Sequence, residues 1–350
     1  MDILKELVAK EINRRDFTKL CAAVAAVFGM PKAFSKDIAF AAENAMKKPA
    51  VIWLEGQDCA GCSESLLASI NPSVAEIVLD TLSIRYHETI MAGSGYVAEK
   101  AREDTIKEGG YVLVVEGSIP TADDRFCMIA EKPFREILLE TAKNAAVIIA
   151  VGSCATFSGG IPGATPSKGR GVTHFIKDKP VINLPSCPLK PSRLVATVMY
   201  FLASGKAPEM DKYGRPLAFY STLLHENCPR RGHFERGEFV TDWNDSGQRE
   251  YCLLLKGCKG PKTYTDCAQV WWNDGANFCI NAGAPCSGCS QPEFYNVFSP
   301  LYEKQQTFNI GPNTTVNLDT VGRTMMGVAG AGVIVHGLGR LASKSNDEEE

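Results

Sequence analysis

The chain has 350 residues, of which 45% are hydrophobic and 22% are charged, a composition typical of a soluble globular protein with one large core or two domains. Its formal net charge of -3 and its pI near 6.0 exclude the basic field that a nucleic-acid-binding protein needs. Thirteen cysteines are many for this length, and they require an explanation by disulfides, structural zinc or iron–sulfur clusters.

Residues 1–48 are predicted to be a signal and linker outside the fold. Arg14 and Arg15 precede an apolar run at 20–30, and Ala41 closes an A-x-A cleavage pattern. This arrangement is similar to a twin-arginine export signal, so it predicts a periplasmic protein that folds before export. The alternative is an amphipathic N-terminal helix with an incidental arginine pair.

From residue 49 to residue 222, strand and helix patterns alternate. Short apolar runs predict strands at 51–54, 77–82, 111–116, 146–151 and 181–184. Apolar residues at helical spacing predict helices at 64–70, 97–107, 134–144 and 191–204. This alternation predicts an α/β domain with a flavodoxin-like, doubly wound parallel sheet.

Four cysteines lie at the ends of these strands. Cys59 and Cys62 follow the first predicted strand, Cys154 follows the fourth and Cys187 follows the fifth. Because parallel sheets bind ligands beyond the carboxyl ends of their strands, we expect these four thiols to converge at one edge. A lone cysteine is more often a small buried apolar residue, but packing does not explain four at strand ends.

Residues 223–310 lack the alternation and are predicted to form an irregular second domain stapled by metal. This segment contains eight further soft ligands: His225, Cys228, Cys252, Cys258, Cys267, Cys279, Cys286 and Cys289. Together with the upstream four they divide into three groups of four, the number that an iron–sulfur cluster binds. Zinc remains an alternative, although zinc sites usually combine two close cysteine pairs.

Residues 311–350 are predicted to be a C-terminal tail. The apolar run at 325–338 is shorter than the roughly 20 residues of a membrane-spanning helix. It predicts a short apolar helix that packs on a partner or lies at a membrane surface. The acidic end at 347–350 is predicted to be disordered.

Five motifs together resemble the small, electron-transfer subunit of periplasmic nickel–iron hydrogenases. They are CAGCSES at 59–65, GSCATFSGG at 152–160, LPSCPLKP at 184–191, HENCPRR at 225–231 and PCSGCSQPEF at 285–294. The resemblance covers the chain from about residue 49 to the tail. A cluster-bearing subunit of respiratory complex I resembles only the first domain, so the second domain favours the hydrogenase.

The resemblance implies three clusters. It assigns the ligands, by position, to a proximal 4Fe-4S cluster on Cys59, Cys62, Cys154 and Cys187, a medial cluster on Cys267, Cys286 and Cys289, and a distal 4Fe-4S cluster on His225, Cys228, Cys252 and Cys258. Many members of the family have proline where this chain has Cys279. A fourth thiolate there predicts a medial 4Fe-4S cluster, the pattern of nickel–iron–selenium relatives, whereas three ligands would predict a 3Fe-4S cluster.

The resemblance also implies partners. Hydrogen would be activated at a nickel–iron centre on a large subunit, and electrons would leave to a cytochrome or a membrane quinone-linked carrier. A dimer of heterodimers is a further expectation, as is membrane association through the tail or a partner. Glu64 matches a position linked to proton movement near the large subunit, although an exposed carboxylate at a helix start explains it equally well.

Overall fold

The structure is a computed structural model. It describes residues 49–70, 73–75, 77–78, 82–157, 166–272, 275–294, 296–298, 302–303, 307–311 and 314–346. The predicted signal at 1–48 and the acidic end at 347–350 lie outside these residues. The chain divides into two compact units, Met1–Tyr302 and Glu303–Glu350. The second unit begins eight residues before the predicted tail, and each unit is described by itself.

The first unit holds both predicted domains. Its strands are β1 (Ala50–Glu55), β2 (Ser83–His87), β3 (Val112–Glu116), β4 (Met128–Ile129), β5 (Lys132–Pro133), β6 (Val147–Val151) and β7 (Val181–Leu184). Its α-helices are α1 (Gly61–Leu67), α2 (Tyr96–Glu108), α3 (Phe134–Ala142), α4 (Gly152–Phe157), α5 (Pro191–Ser204), α6 (Leu217–Tyr220) and α7 (Arg231–Glu235).

Five of these strands form a parallel sheet in the order β2-β1-β3-β6-β7, which confirms the predicted parallel α/β core. Counting the sheet strands alone, the order is 2-1-3-4-5, as in flavodoxin. β3, β6 and β7 are buried along their whole length, because helices cover both faces of the sheet. Side chains of α1 and α5 pack on one face, and side chains of α2 and α3 pack on the other.

One predicted strand is wrong. The apolar residues at 77–82 were expected to form the second strand, but β2 lies at Ser83–His87. Ile77 and Leu82 are buried against the sheet, yet their backbone N–H groups donate to Ser73 and Ile77 carbonyls within local turns. The apolar run therefore marks core packing, whereas the edge strand itself carries more polar side chains.

Residues 223–302 contain few regular elements. Short 3₁₀ helices occur at Leu224–Asn227, Ser246–Gln248, Leu254–Lys256 and Gly260–Lys262. The buried apolar cluster of this part is small, and cysteines form part of it: it comprises Leu224, Val240, Leu253, Phe278, Ile280 and Cys286, with Cys228, Cys258 and Cys267 packed against them. Cysteines therefore make up part of the core here.

The second unit contains an antiparallel hairpin of β8 (Thr307–Gly311) and β9 (Thr314–Asn317), followed by α8 (Leu318–Asn346). α8 is longer than the predicted helix at 325–338. The apolar side chains at 325–335 of this helix are exposed, for example Met326 at 69% and Val333 at 72%. In the described part of the chain, no helix has the length and apolar character needed to span a membrane.

Candidate metal centres

The carboxyl end of β1 carries the first cysteine pair. Between the end of β1 and the start of α1, Ala60 adopts a left-handed conformation with φ of 57°. Cys59 is therefore exposed just before the helix, while Cys62 is buried in its first turn. The sequence predicts that this helix starts at residue 64, but α1 begins at Gly61, so its first turn includes Cys62.

The two other cysteines of this edge follow β6 and β7. Cys154 lies in α4, directly after β6, and Cys187 follows the end of β7. Burial raises the pKa of Cys62 well above its ordinary value, and negative charge on Cys154 and Cys187 raises it further. Burial and then charge on Cys59 raise the pKa of Cys187. Each of the four cysteines therefore follows the carboxyl end of a strand at the same edge of the sheet.

The approach of α4 to this group is close. Gly152 begins the helix with φ of +76°, and a Cβ atom there would lie 2.5 Å from Cys62 Sγ. Glycine is required for two reasons, because a side chain would be strained and would also displace the sulfur. On the other side of Cys62, the backbone N–H of Leu189 donates to its Sγ at 3.3 Å.

Glu116, at the end of β3, holds the start of α1. It is 2% exposed and accepts hydrogen bonds from the backbone N–H groups of Cys62 at 2.9 Å and Ser63 at 3.0 Å. The Ser63 hydroxyl at 2.6 Å and Trp53 Nε1 at 3.2 Å also donate to it. Burial raises the pKa of Glu116, and these hydrogen bonds oppose the rise. Sequence reasoning missed this residue, although a carboxylate ending a buried strand was the available signal.

The second group of donors surrounds one small cavity in residues 223–302. His225, Cys228, Cys252 and Cys258 all line it, together with apolar side chains such as Ile280. Burial raises the pKa of Cys258 to about 11, and charge on Cys228 and Cys252 adds to this effect. Burial and the nearby Arg231 lower the pKa of His225, which favours the neutral imidazole.

The third group lies in the loops between residues 267 and 289. Burial raises the pKa of Cys289 to about 12, and charges on Cys267 and Cys279 contribute to the rise. Burial raises the pKa of Cys286 well above its ordinary value, and charge on Cys258, in the second group, contributes more to the rise than charge on Cys289 and Cys267. Cys279, which is exposed, thus lies in the same electrostatic group as the other three.

Hydrogen bonds link chain segments of neighbouring groups. The hydroxyl of Ser153, next to Cys154 of the first group, donates to the carbonyl of Cys289, in the third. The N–H of Lys259, next to Cys258 of the second group, donates to the carbonyl of Cys286, also in the third, at 2.7 Å. The segment of the third group therefore contacts segments of both other groups.

Two further residues of interest are not members of the three groups. Glu64 is exposed in the first turn of α1. Cys127 is half-buried and packs against the apolar cluster on the face of the sheet that α2 and α3 cover. Its pKa is raised to about 11, chiefly by burial, which favours the thiol over the thiolate.

Two absences concern the described residues alone. No three His, Cys, Asp or Glu side chains in this part of the chain lie close enough to hold a single metal ion. The twelve cysteines that the structure describes are also not joined by disulfides. The donor chemistry of the three groups, eleven thiols and one imidazole in apolar surroundings with backbone N–H groups directed at sulfur, fits iron–sulfur clusters.

Two known families match separate parts of the chain. Residues 220–302 match the C-terminal region of the NiFe/NiFeSe hydrogenase small subunit. Residues 59–201 match the 20 kDa subunit of NADH ubiquinone oxidoreductase. The first match lies in the cysteine-rich loops and the second lies in the sheet region.

Individual relatives span almost the whole chain. The uptake hydrogenase small subunit of Azotobacter vinelandii is 41% identical over 93% of this chain and 91% of its own length. The periplasmic NiFe hydrogenase small subunit 1 of Nitratidesulfovibrio vulgaris is 40% identical over 85% of this chain and 96% of its own. Among solved structures, the NiFeSe hydrogenase of Desulfomicrobium baculatum has a TM-score of 0.69 at 35% identity, covering 73% of this chain and 99% of that chain.

A flavodoxin-like sheet with thiols at its edge, joined to a cysteine-rich segment, defines a redox subunit of an oxidoreductase complex. With the relatives above, the chain belongs to the family of nickel–iron hydrogenase small subunits. Members of this family are parts of complexes whose active site is on the large subunit.

Proposed function

We propose that this subunit relays electrons through three 4Fe-4S clusters between the nickel–iron centre of a large subunit and an external carrier. The observation that carries the proposal is the occurrence of three four-donor groups whose segments are joined by hydrogen bonds, from Ser153 to Cys289 and from Lys259 to Cys286. A bound cluster would accept and release single electrons.

The proposed ligands follow the three groups of the structure. The proximal cluster is held by Cys59, Cys62, Cys154 and Cys187, the medial cluster by Cys267, Cys279, Cys286 and Cys289, and the distal cluster by His225, Cys228, Cys252 and Cys258. The mutual electrostatic effects among the thiols of each group support this division. The chain supplies ligands, N–H donors to sulfur and apolar surroundings that exclude water.

The large subunit is proposed to dock at the sheet edge near the proximal ligands. Cys59 and Cys187 are exposed there, as expected for a site completed by another chain. The described cysteine outside the three groups is Cys127, and its apolar packing makes it a poor ligand for a nickel site. Glu64 is the proposed proton-path residue of the same surface, and its exposure in α1 is compatible with contact to a partner.

The distal site is proposed to be the exit. Replacing one thiolate by the neutral His225 removes a negative charge, which makes a cluster easier to reduce and draws electrons outward. His225→Cys should lower the potential of the distal cluster and slow transfer to an external acceptor, while hydrogen/deuterium exchange by the complex continues. Loss of that exchange would contradict the exit assignment.

The complex is proposed to be periplasmic and exported by the twin-arginine pathway, because one relative is a periplasmic hydrogenase subunit and the sequence around Arg14 and Arg15 is similar to an export signal. A cytochrome or a membrane quinone-linked module would accept the electrons, and α8 would contact the membrane surface or that module. A dimer of heterodimers is also proposed. Replacing both arginines by lysine should leave a coloured complex in the cytoplasm, and periplasmic accumulation of that variant would refute the export proposal.

The purified complex provides the main test. We expect broad visible absorbance that dithionite bleaches, close to twelve irons and twelve sulfides per small subunit, and a larger chain that contains nickel. A colourless protein with bound zinc would overturn the proposal, because zinc has no redox chemistry.

A further inference from the structure

A buried arginine touches the sulfur of one proposed medial ligand. Arg193, in the first turn of α5, is 1% exposed. Its Nη2 atom lies 3.6 Å from Cys267 Sγ and donates a hydrogen bond to it. The same atom donates to Thr265 Oγ1 at 2.7 Å and to the carboxylate of Asp266. An arginine from the sheet domain thus reaches the cysteine-rich segment.

The guanidinium group is fixed in this position. Its Nη1 atom donates to the hydroxyl of Tyr220 at 3.1 Å, and its central carbon lies 4.8 Å from the centre of that ring. Tyr220 in turn donates to the Pro185 carbonyl at 2.9 Å. Because its planar face and both terminal nitrogens are engaged, the group cannot turn away from Cys267 without breaking several buried contacts.

The charges around Cys267 do not cancel. Asp266 contributes one negative charge, and Arg193 and the nearly buried Lys190, whose Nζ atom lies 3.9 Å from Asp266, are the neighbouring basic side chains. An arginine remains protonated at any accessible pH. Thr265 Oγ1 lies 3.1 Å from the same sulfur, so Cys267 has two side-chain hydrogen-bond partners.

The distal group has a different arrangement. Arg230 is also buried near cysteine ligands, but its Nη1 atom donates to the carbonyls of Arg249 at 2.7 Å and Tyr251 at 2.8 Å. Its hydrogen bonds therefore stabilise the loop, whereas those of Arg193 include a sulfur. The difference indicates an electronic effect on the medial site in addition to packing.

We propose that Arg193 is a positioning residue that sets the reduction potential of the medial site, acting through Cys267 and opposed by Asp266. This inference rests on the proposed function, because Cys267 must be a cluster ligand. A positive charge and an N–H donor at sulfur stabilise the more negative, reduced state and raise the potential. Arg193 therefore offsets the lowering that a fourth thiolate at Cys279 causes.

The test uses two single variants of the whole hydrogenase complex, each followed by redox titration monitored by electron paramagnetic resonance. Asp266→Asn removes the opposing charge with little change of shape, so the medial potential should rise. Arg193→Met removes the cation, so the medial potential should fall. Each shift should be about tenfold in the equilibrium constant for one-electron reduction, equivalent to about 59 mV. The proximal and distal potentials should not change.

Arg102→Met is the matched control. Arg102 is as buried as Arg193, but its ion-pair partners are Glu99 and Glu140 on the sheet domain. Its loss should reduce stability without moving any potential. Opposite shifts in Asp266→Asn and Arg193→Met are a result that a merely structural role would not give.

An unmoved medial potential in Asp266→Asn would overturn the inference, even if Arg193→Met failed to assemble. Cys267→Ala separates this failure from failure of the proposed function. Loss of the medial signal in Cys267→Ala would support Cys267 as a ligand of the medial cluster. A full medial signal in that variant would instead overturn the assignment of Cys267, and the role of Arg193 with it.

Discussion

The sheet region, residues 49–222, and the cysteine-rich region, residues 223–302, position their cysteines in different ways. In the sheet region the core is apolar and extensive on both faces, and Cys62 is the proposed ligand that it includes. In the cysteine-rich region the apolar cluster is small, Cys286 is part of it, and three further cysteines pack against it. The core of the first region is therefore formed mainly by other side chains, whereas that of the second is formed in large part by proposed ligands.

This contrast indicates different contributions of metal to stability. Strands with both faces covered bury enough apolar surface to fold on that basis alone. Short 3₁₀ helices and loops do not, and small irregular domains commonly depend on a bound metal for their folding energy. We therefore expect the two regions to respond differently to loss of iron.

The largest expected effect is that of iron removal. In the chain prepared without clusters, amide protection should be lost through most of residues 223–302 and retained in β1, β3 and β6, because only the former segment needs ligand–metal bonds to order its loops. Hydrogen–deuterium exchange with peptide resolution measures this directly. Equal protection of both regions with and without iron would remove the distinction.

Gly152→Ala tests the close contact between α4 and Cys62 at the edge of the sheet region. The added methyl group would meet Cys62 Sγ at 2.5 Å on a backbone with φ of +76°, so we expect a loss of about 2–4 kcal/mol and of proximal iron. Gly205→Ala is the matched control, since φ there is +66° and no atom lies within 4 Å. It should cost only about 1 kcal/mol. Equal losses in denaturant unfolding would show that contact with the sulfur is unimportant.

Cys279→Pro changes a single proposed ligand of the cysteine-rich region. The as-isolated oxidised protein should lack a strong three-iron resonance, because four thiolates retain the fourth iron. The variant should show that resonance in full while the other two clusters are unchanged. Electron paramagnetic resonance measures the difference, and Cys127→Ala is the control. A full three-iron signal in the unmodified protein would show that Cys279 is not a ligand.

The smallest expected effect concerns Lys262. Burial lowers the pKa of its ammonium group to about 8, and the negative charge of Glu293 opposes this change. In the unfolded chain the same group has a pKa of about 10.4, so it keeps its proton to a higher pH than in the folded protein. Stability should therefore rise between about pH 8 and 10.4 and be reduced below that window. Lys262→Met should gain about 1 kcal/mol at pH 7, after allowance for solvent screening, and nothing at pH 11.

Thermal unfolding at the two pH values checks this prediction, with a gain of about 2 °C expected at pH 7. Lys143→Met, at an exposed position of the sheet region, is the control and should show no pH-dependent difference. The same gain at both pH values would mean that the effect of Lys262→Met is packing rather than charge.

The sheet and its edge were predictable because their determinants are local. Apolar runs define β1, β3, β6 and β7, and the rule for parallel sheets then places Cys59, Cys154 and Cys187 on one side. The apolar run at 77–82 led to a wrong strand prediction, because Ile77 and Leu82 are apolar to pack against the core, whereas β2 is an edge strand with polar side chains.

The supporting residues could not be predicted, because their partners are distant in sequence. Glu116 bonds to the N–H of Cys62, and Arg193 reaches Cys267 from another domain. No local pattern specifies either contact. The cysteine-rich loops were predictable only as a set of ligands, since short 3₁₀ turns have weak periodicity, and which sulfurs share a group depends on the folded path of the chain.

The hydrogen bonds that join segments of neighbouring groups have a consequence for redox titrations. If each group holds a cluster, negative charge gained at one would be felt at the next through an interior of low dielectric constant. The sites would then titrate as an interacting set, with midpoints that depend on how many electrons the chain already holds. A fit with three independent one-electron curves should therefore fail systematically, with the middle curve showing the greatest broadening.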